Sequence, residues 1–245
     1  MARAVKEVNM EYFKKEISVD THDIDFNGVC RASSMLKYIQ SAAEAQLTAN
    51  GMSYDQLKDS ARAFIISRMH IEIGSAARAD DKLTAATFPC DSRGFSFLRC
   101  YQLARNGEVI ARAISVWALV DTNTRSLVKV ADFDLNLPTF APLDIALGHF
   151  RAPSTLVKVG EYTPVYADLD RNGHINNTRY ADIYANFLPM DKKRISTLTI
   201  SFVSEAKQGE ILDVLLAKED GAYYIRTVKP DGKINSEARI TLETI

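Results

Sequence analysis

The chain of 245 residues has few cysteines, and none in a spacing that suggests bridging or metal binding. Its three, Cys30, Cys90 and Cys100, are odd in number and never occur as C-x-x-C. Such a set argues against a disulfide framework and against a zinc site. We interpret all three as structural thiols. The sequence gives no indication of a metal or another cofactor, and we expect neither.

A charge imbalance and a long apolar run are also lacking. Thirty basic and 31 acidic residues nearly cancel, so the chain has no strong field for nucleic acid or an anionic membrane. Residues 1–16 are mixed and charged, and no window approaches the roughly 18 apolar residues of a membrane span. We expect a soluble cytoplasmic protein without membrane insertion, whose partner is a small molecule or a protein and not a nucleic acid.

What the sequence does contain is an internal repeat within a chain that is 47% apolar, enough for a packed core. Residues 23–28, Asp-Ile-Asp-Phe-Asn-Gly, return 145 positions later as residues 168–173, Asp-Leu-Asp-Arg-Asn-Gly. Apolar residues then recur at helical spacing over 35–43 and again over 180–187. We therefore predict an amphipathic helix after each copy of the turn.

The repeat continues downstream at a smaller offset. Residues 71–78 align with residues 200–207, which lie 129 positions later. The drop from 145 to 129 means that the first copy carries 16 extra residues. We assign them to an additional helical segment around residues 53–61.

One hairpin turn completes each repeat. Asn106-Gly107 and Asp231-Gly232 are dipeptides that favour tight β-turns. The flanking residues are rich in β-branched and aromatic side chains, which favour strands. Long antiparallel strands are predicted over residues 97–103, 109–120, 222–228 and 234–242.

Each half therefore contains a strand, a long helix and three or four antiparallel strands. A helix lying across a curved sheet covers its apolar face, and this order is that of the hotdog fold. We predict an α+β protein with a tandem, or double, hotdog fold, each half a curved antiparallel sheet wrapped around a long central helix. The predicted divisions are an N-terminal hotdog over 1–135, a proline-containing linker over 136–154 and a C-terminal hotdog over 155–245.

The two copies differ in residues that can transfer protons. The Asp and Asn of the turn occur in both copies, and in the first we interpret them as a scaffold turn. At aligned positions, however, Val29 is replaced by His174 and Ala76 by Glu205. The alternatives are a structural histidine and a solvated carboxylate. Because imidazole titrates near neutral pH, we predict that His174 is functional and that Glu205 is its partner.

These residues belong to a longer pattern. Residues 168–180 contain D-x-N-x-H-x-N-N, and residues 115–121 read Ser-Val-Trp-Ala-Leu-Val-Asp. In both segments the chain resembles the acyl-acyl carrier protein thioesterases, over nearly its whole length. The resemblance implies a double hotdog that hydrolyses fatty acyl-acyl carrier protein, releases free fatty acid and terminates chain elongation. The catalytic residues that it implies are Asp170, Asn172, His174 and Glu205.

The residues after the motif have two interpretations. Asn176 or Asn177 is expected to cap the following helix, because asparagine is among the best capping residues. The free N–H groups of such a helix also favour an oxyanion placed before them. We therefore assign Asn176, Asn177 and Arg179 to substrate binding, while the resemblance implies that the first hotdog supplies most of the acyl-chain pocket.

One departure from the family bears on mechanism. Many plant members have a cysteine directly after the glutamate, whereas this chain has Ala206. A Cys-His mechanism is thus excluded at this position. Carboxylate chemistry remains, with Glu205 or Asp170 as general base or as nucleophile, and we prefer Glu205 as base. The chain also begins without a plant-type transit peptide, which suits a bacterial cytoplasmic enzyme.

The expected partner is acyl carrier protein bearing an acylated 4′-phosphopantetheine arm. Basic residues that either meet its acidic surface or are ordinary solvated charges are Arg171, Arg179, Lys192, Lys193 and Arg194. The alternatives are a thioesterase for acyl-coenzyme A, a hydratase, and a non-catalytic hotdog protein that binds acyl thioesters. A monomer and a homodimer both fit. Acyl-chain length depends on which side chain closes the pocket, and the candidates are Met35, Met52, Ile66 and Met69.

Overall fold

The computed structural model describes residues 11–245, so the first ten residues of the predicted domain 1–135 lie outside the described range. Apart from short 3-10 turns, the first half consists in chain order of β1 (Phe13–Ser18), α1 (Ala32–Ala49), α2 (Tyr54–Asp59), β2 (Arg62–Ile73), β3 (Lys82–Pro89), β4 (Phe97–Arg105), β5 (Glu108–Asp121) and β6 (Ser126–Val128). The second half consists of β7 (Val157–Tyr162), α3 (Tyr180–Ala185), β8 (Lys193–Phe202), β9 (Leu212–Glu219), β10 (Ala222–Val228) and β11 (Ile234–Thr244).

One continuous sheet joins the two halves. Its strand order is β1-β3-β4-β5-β2-β8-β11-β10-β9-β7, and β6 pairs separately with β5. Outward from the centre, the sequence β2, β5, β4, β3, β1 on one side is matched by β8, β11, β10, β9, β7 on the other. The two halves are thus related by an approximate twofold axis, and the predicted double hotdog is confirmed.

That axis can be located at a single residue pair. Strands β2 and β8 pair antiparallel, with His70 opposite Thr199. The same two residues are equivalent in the repeat, since they are 129 positions apart. Both are buried, and His70 Nδ1 lies 2.7 Å from Thr199 Oγ1. The approximate twofold axis therefore passes between them, at the seam of the two halves.

The segment between the halves lies on the outer face of the sheet. Residues 133–156 contain no helix or strand. Apolar side chains from this segment, among them Phe140 and Leu147, pack on a cluster that includes Phe88, Cys90 and Cys100. Two of the three cysteines therefore serve packing. The linker bounds 136–154 and the domain start at 155 stay predictions.

Gly148 brings this segment onto the seam, and its replacement tests how tightly it fits. Gly148 has φ +66°, and a Cβ there would lie 2.6 Å from Thr199 Cγ2. Left-handed backbone costs alanine about 1–2 kcal/mol, and overpacking adds about 1–3 kcal/mol. We expect Gly148→Ala to lower the free energy of unfolding in urea by about 2–5 kcal/mol.

Gly94→Ala is the matched control for that prediction. Gly94 has a similar φ of +63°, but nothing lies within 4 Å of its would-be Cβ. Gly94→Ala should therefore lower the free energy of unfolding only by the cost of the left-handed backbone, about 1–2 kcal/mol. An equal loss of unfolding free energy in the two variants would show that the segment around Gly148 does not pack tightly against the seam.

Helix α1 covers the concave face of the first half. It buries one stripe, including Met35, Leu36, Ile39 and Ala43, against inward-facing residues of the sheet such as Ile71. Fully burying a side chain of this size contributes about 1.5–3 kcal/mol, so the stripe holds the helix in place. No helix within residues 11–245 is both long and apolar enough to cross a membrane.

The second half differs from the prediction in the length of its helix. A short 3-10 turn, Asn177–Arg179, leads into α3, which has only six residues where a long central helix is predicted. Leu188 precedes Pro189, and a residue before proline disfavours helical backbone. The second copy also has 16 fewer residues between its turn and the aligned residues of β8 than the first copy has between its turn and those of β2. The chain therefore turns early into β8.

The extra segment and the hairpins form as the sequence predicts. Ser53 and Gln56 make a reciprocal capping box at the start of α2, which confirms the additional helix in the first copy. At the hairpin between β4 and β5, Asn106 and Gly107 have φ of 53° and 83°. Positive φ at both positions is typical of a type I′ turn, whose twist suits adjacent antiparallel strands.

Candidate active site

The second copy of the turn is built around the Asp170 carboxylate. Asp170 Oδ1 accepts the backbone N–H groups of Asn172 at 2.8 Å and of His174 at 3.2 Å. The Asp170 N–H in turn donates to the His174 carbonyl at 2.8 Å. Gly173 takes φ +77°, a conformation that costs glycine little. The carboxylate thereby fixes the backbone on which His174 stands.

The first copy repeats this geometry. Asp25 Oδ1 accepts the N–H groups of Asn27 at 2.9 Å and of Val29 at 3.3 Å, and Gly28 takes φ +75°. The duplication inferred from sequence is therefore confirmed in its hydrogen bonds. Because both turns use the aspartate in the same way, holding the turn is a role that the two copies share.

His174 and Glu205 meet through the backbone beside the turn. His174 forms an isolated antiparallel bridge with Lys207, and the Ile175 N–H donates to the Ala206 carbonyl at 3.0 Å. His174 Nε2 then lies 3.1 Å from Glu205 Oε2. A histidine and a carboxylate 31 residues apart are thus brought into direct contact.

The equivalent place in the first copy has the same backbone without the polar pair. The Cys30 N–H donates to the Ala77 carbonyl at 2.8 Å, as Ile175 does to Ala206. The side chains there are Val29 and Ala76, and Val29 is buried. The frame is common to both halves, and the imidazole and carboxylate belong to one.

The pair is accessible from outside. The Glu205 side chain is 65% exposed and that of His174 is 22% exposed. Lys229 Nζ donates to the Glu205 carbonyl at 2.9 Å and pairs with Glu210 at 3.0 Å. The backbone at Glu205 is held, while its carboxylate is free to meet water or a ligand.

Asn172 connects the turn to the first half of the molecule. Its Nδ2 donates to Asp170 Oδ2 at 3.4 Å. Its Oδ1 accepts the hydroxyl of Tyr54, the first residue of α2, at 2.8 Å. Sequence reasoning missed Tyr54, and the only available signal was that the extra 16 residues of the first copy include it.

Two of the three residues predicted to bind substrate, Asn176 and Arg179, already have partners in the protein. Asn176 Oδ1 accepts the Thr178 N–H at 3.0 Å, so Asn176 caps the 3-10 turn that begins at Asn177. Arg179 pairs with Asp168 at 3.2 Å and with Asp182 at 2.6 Å. These contacts give Asn176 and Arg179 a structural role. Their assignment to substrate binding, like that of Asn177, stays a prediction.

Two of the five cations considered for partner binding, Lys192 and Lys193, contact the first copy of the turn rather than the second. Asn27 bonds to the backbone of Lys192 and Lys193. Arg194 is buried and donates to the Ile73 carbonyl at 3.0 Å. Arg171, by contrast, lies on the second turn, with its guanidinium 4.1 Å from the Tyr54 ring centroid.

Two clefts lie at corresponding places in the two halves, each between one copy of the turn and the helix of the other half. A cavity of about 720 Å³ lies at the first copy of the turn, where Val29 and Met35 face α3. A smaller one of about 370 Å³ lies between α1 and the second copy, lined by Lys37, Ser41 and Asn176 among others. The larger cavity is thus beside the turn that lacks the polar pair. We place the candidate site by its chemistry and not by cavity size.

The cysteines do not belong to the group formed by Asp170, Asn172, His174 and Glu205. All three are buried, and none is in a disulfide. Burial raises the pKa of the Cys30 thiol to about 12, so it is protonated near neutral pH and is a poor nucleophile. Ala206, which follows Glu205, is fully buried, and its carbonyl accepts the Ile175 N–H.

The two halves share one type of turn, and in the second half an imidazole and a carboxylate are in contact beside it. The chain is therefore a double-hotdog protein with a candidate acid-base site in its C-terminal half. The chain belongs to the acyl-ACP thioesterase family. The family's N-terminal domain matches residues 10–135 and its C-terminal domain matches residues 152–244. The resemblance noted in the sequence is confirmed.

Individual members of the family resemble this chain in sequence and in fold. The chain is 26% identical over 233 residues to the chloroplastic oleoyl-acyl carrier protein thioesterase 2 of Arabidopsis thaliana, an alignment covering 84% of this chain and 63% of that protein. It therefore spans somewhat less than two thirds of that relative. An acyl-ACP thioesterase from Bacteroides thetaiotaomicron has the same fold, with a TM-score of 0.83 and 20% identity over 94% of this chain and 97% of that one. The 12:0-ACP thioesterase of Umbellularia californica also gives 0.83, at 17% identity over 97% and 99%.

Proposed function

We propose that this protein hydrolyses the thioester of fatty acyl-acyl carrier protein, releasing the free fatty acid and ending chain elongation. The observation that carries the proposal is the contact between His174 and Glu205, 3.1 Å apart on a frame whose other copy has Val29 and Ala76. Membership of the acyl-ACP thioesterase family supports the same reaction.

Glu205 is the proposed general base. It removes a proton from water as the water oxygen bonds to the thioester carbon, which gives a tetrahedral oxyanion. The C–S bond then breaks, the proton passes to sulfur, and the products are a carboxylic acid and a free thiol. Because a thiol has a pKa of about 8.5, the thiolate leaves readily and needs little acid assistance.

Geometry supports Glu205 over Asp170 for this role. The Glu205 carboxylate is largely exposed, and its side chain contacts His174. Asp170 Oδ1 already accepts two backbone N–H groups, so moving or protonating it would loosen the turn. We therefore assign Asp170 to holding the turn with its charge beside Asn172. Asn172 is assigned to the substrate carbonyl and His174 to orienting Glu205 and returning the proton to sulfur.

The carrier protein is the proposed partner because cations flank this pair. Arg171 is exposed on the turn, and Lys207 is exposed directly across from His174. An acidic carrier surface would meet both, and such charges mainly raise the rate of encounter. Coenzyme A offers phosphates but no protein surface, so it would gain less from them.

The substrate assignment can be tested with one acyl group on three thiols. We expect kcat/KM to be about tenfold or more higher on acyl carrier protein than on coenzyme A, and lowest on N-acetylcysteamine. Lys207→Glu should lower kcat/KM on the carrier protein and leave N-acetylcysteamine unaffected. Equal or better activity on coenzyme A would defeat the carrier assignment. Tight binding of all acyl thioesters without turnover would instead favour a non-catalytic acyl-binding protein.

A further inference from the structure

We infer that Tyr54, on α2 of the first half, is a positioning residue for the reaction in the second half. It acts by holding the Asn172 carboxamide so that an N–H faces the substrate carbonyl. This inference rests on the proposed thioester hydrolysis and adds a residue to it that the family pattern in the sequence does not contain.

The placement of Tyr54 follows from the segment that distinguishes the two copies. Helix α2 occurs in the extra residues of the first copy, is stabilised by the Ser53 and Gln56 capping box, and contains no buried residue. Exposed helices of six residues gain little from packing. Its N-terminal residue nevertheless reaches Asn172, 118 positions away. A contact across the two halves is therefore what this segment provides.

The carboxamide of Asn172 is oriented by opposite partners on its two ends. An ionised carboxylate can only accept, so Asp170 Oδ2 selects the Nδ2 end at 3.4 Å. The Tyr54 hydroxyl donates to the Oδ1 end at 2.8 Å. Turning the amide over would place its oxygen against the carboxylate. Together the two partners fix one orientation.

That orientation leaves a donor for the reaction. Nδ2 carries two hydrogens, and one is directed at Asp170. The structure gives the second no protein partner among residues 11–245. A preorganised donor of this kind stabilises the negative oxygen that forms when a thioester carbonyl is attacked.

A second contact keeps the tyrosine ring in place. The Arg171 guanidinium lies 4.1 Å from the Tyr54 ring centroid, a distance at which a cation is attracted to an aromatic face. Tyr54 is 41% exposed, so little else holds it. The residue next to Asn172 thus clamps the ring whose hydroxyl orients Asn172.

Tyr54→Phe tests the inference because it keeps the ring and removes the hydroxyl. With acyl carrier protein substrate, we expect kcat to fall roughly three- to tenfold, the effect of losing one hydrogen bond. KM should change less than twofold, and the melting temperature should not change. Tyr166→Phe is the control, since Tyr166 is 85% exposed and belongs to no part of the proposed site. It should retain wild-type kcat.

A double-mutant cycle separates positioning from a general effect on the fold. In an Asn172→Ala background, measured in single turnovers, adding Tyr54→Phe should change the rate less than twofold, because the group that Tyr54 orients is gone. Wild-type kcat in Tyr54→Phe, a loss confined to KM, or an undiminished loss in the Asn172→Ala background would each overturn the inference. Failure of the wild-type protein to hydrolyse any acyl thioester would instead overturn the proposed function.

Discussion

Glu205→Gln should lower kcat on acyl carrier protein substrates by about 10²–10⁴-fold, the usual contribution of a general base. The substitution is nearly isosteric, so glutamine can still meet His174, but it cannot take a proton from water. Because the Glu205 side chain is 65% exposed, no buried packing is lost and folding should be unaffected. The measurement is kcat from steady-state release of free thiol, with melting temperature recorded in parallel.

Glu108→Gln is the matched control for this result. Glu108 is an exposed glutamate at the start of β5, in the hairpin that closes the first half. It removes the same charge from the same molecule and should leave kcat within twofold of wild type. If Glu205→Gln behaved in the same way, Glu205 would not be the base, and Asp170 would be the remaining carboxylate of the proposed group.

Asp170→Asn is the second change with a large expected effect, and the duplication supplies its control. Asparagine keeps the Oδ1 acceptor that holds the N–H groups of Asn172 and His174, but it loses the charge beside Asn172. We expect kcat to fall by about tenfold or more, because Asn172 loses the charged acceptor that orients the donor proposed to stabilise the oxyanion. The loss should be smaller than that of Glu205→Gln if Glu205 is the base.

Asp25→Asn makes the same change in a turn of the same geometry. Asp25 Oδ1 accepts the N–H groups of Asn27 and Val29, and no histidine or glutamate follows it in the frame. Activity and melting temperature should both stay close to wild type. A comparable loss of kcat in Asp25→Asn would mean that both turns contribute only through structure, and the chemical role proposed for Asp170 would be wrong.

The fold could be predicted because the repeat is recognisable from short stretches of sequence. Turn residues, helical periodicity and hairpin dipeptides recur at fixed offsets, and each depends on local backbone preference. Alignment of the copies also gave the equivalence of Val29 with His174 and of Ala76 with Glu205. The structure places those positions on one backbone frame, where His174 and Glu205 lie 3.1 Å apart.

Other features depend on contacts that no local pattern records. Tyr54 and Asn172 are both exposed and lie far apart in the chain, so neither shows the periodicity that marks a core residue. Arg194 reads as a surface cation, yet it is buried because the backbone carbonyls of Ile73 and Gly74 accept from it. Pro189 sets only an outer limit for α3, which ends earlier, at Ala185, as the chain returns tightly to β8.

Catalysis by His174 and Glu205 is tested by converting the second copy of the turn into the first. The double variant His174→Val, Glu205→Ala gives the second turn the residues that the first turn has at Val29 and Ala76. Free fatty acid released from acyl carrier protein is measured in single turnovers, alongside substrate binding and melting temperature. We expect release to fall by at least about 10²-fold while the protein still folds and binds its substrate. Wild-type release by this variant would contradict catalysis by His174 and Glu205.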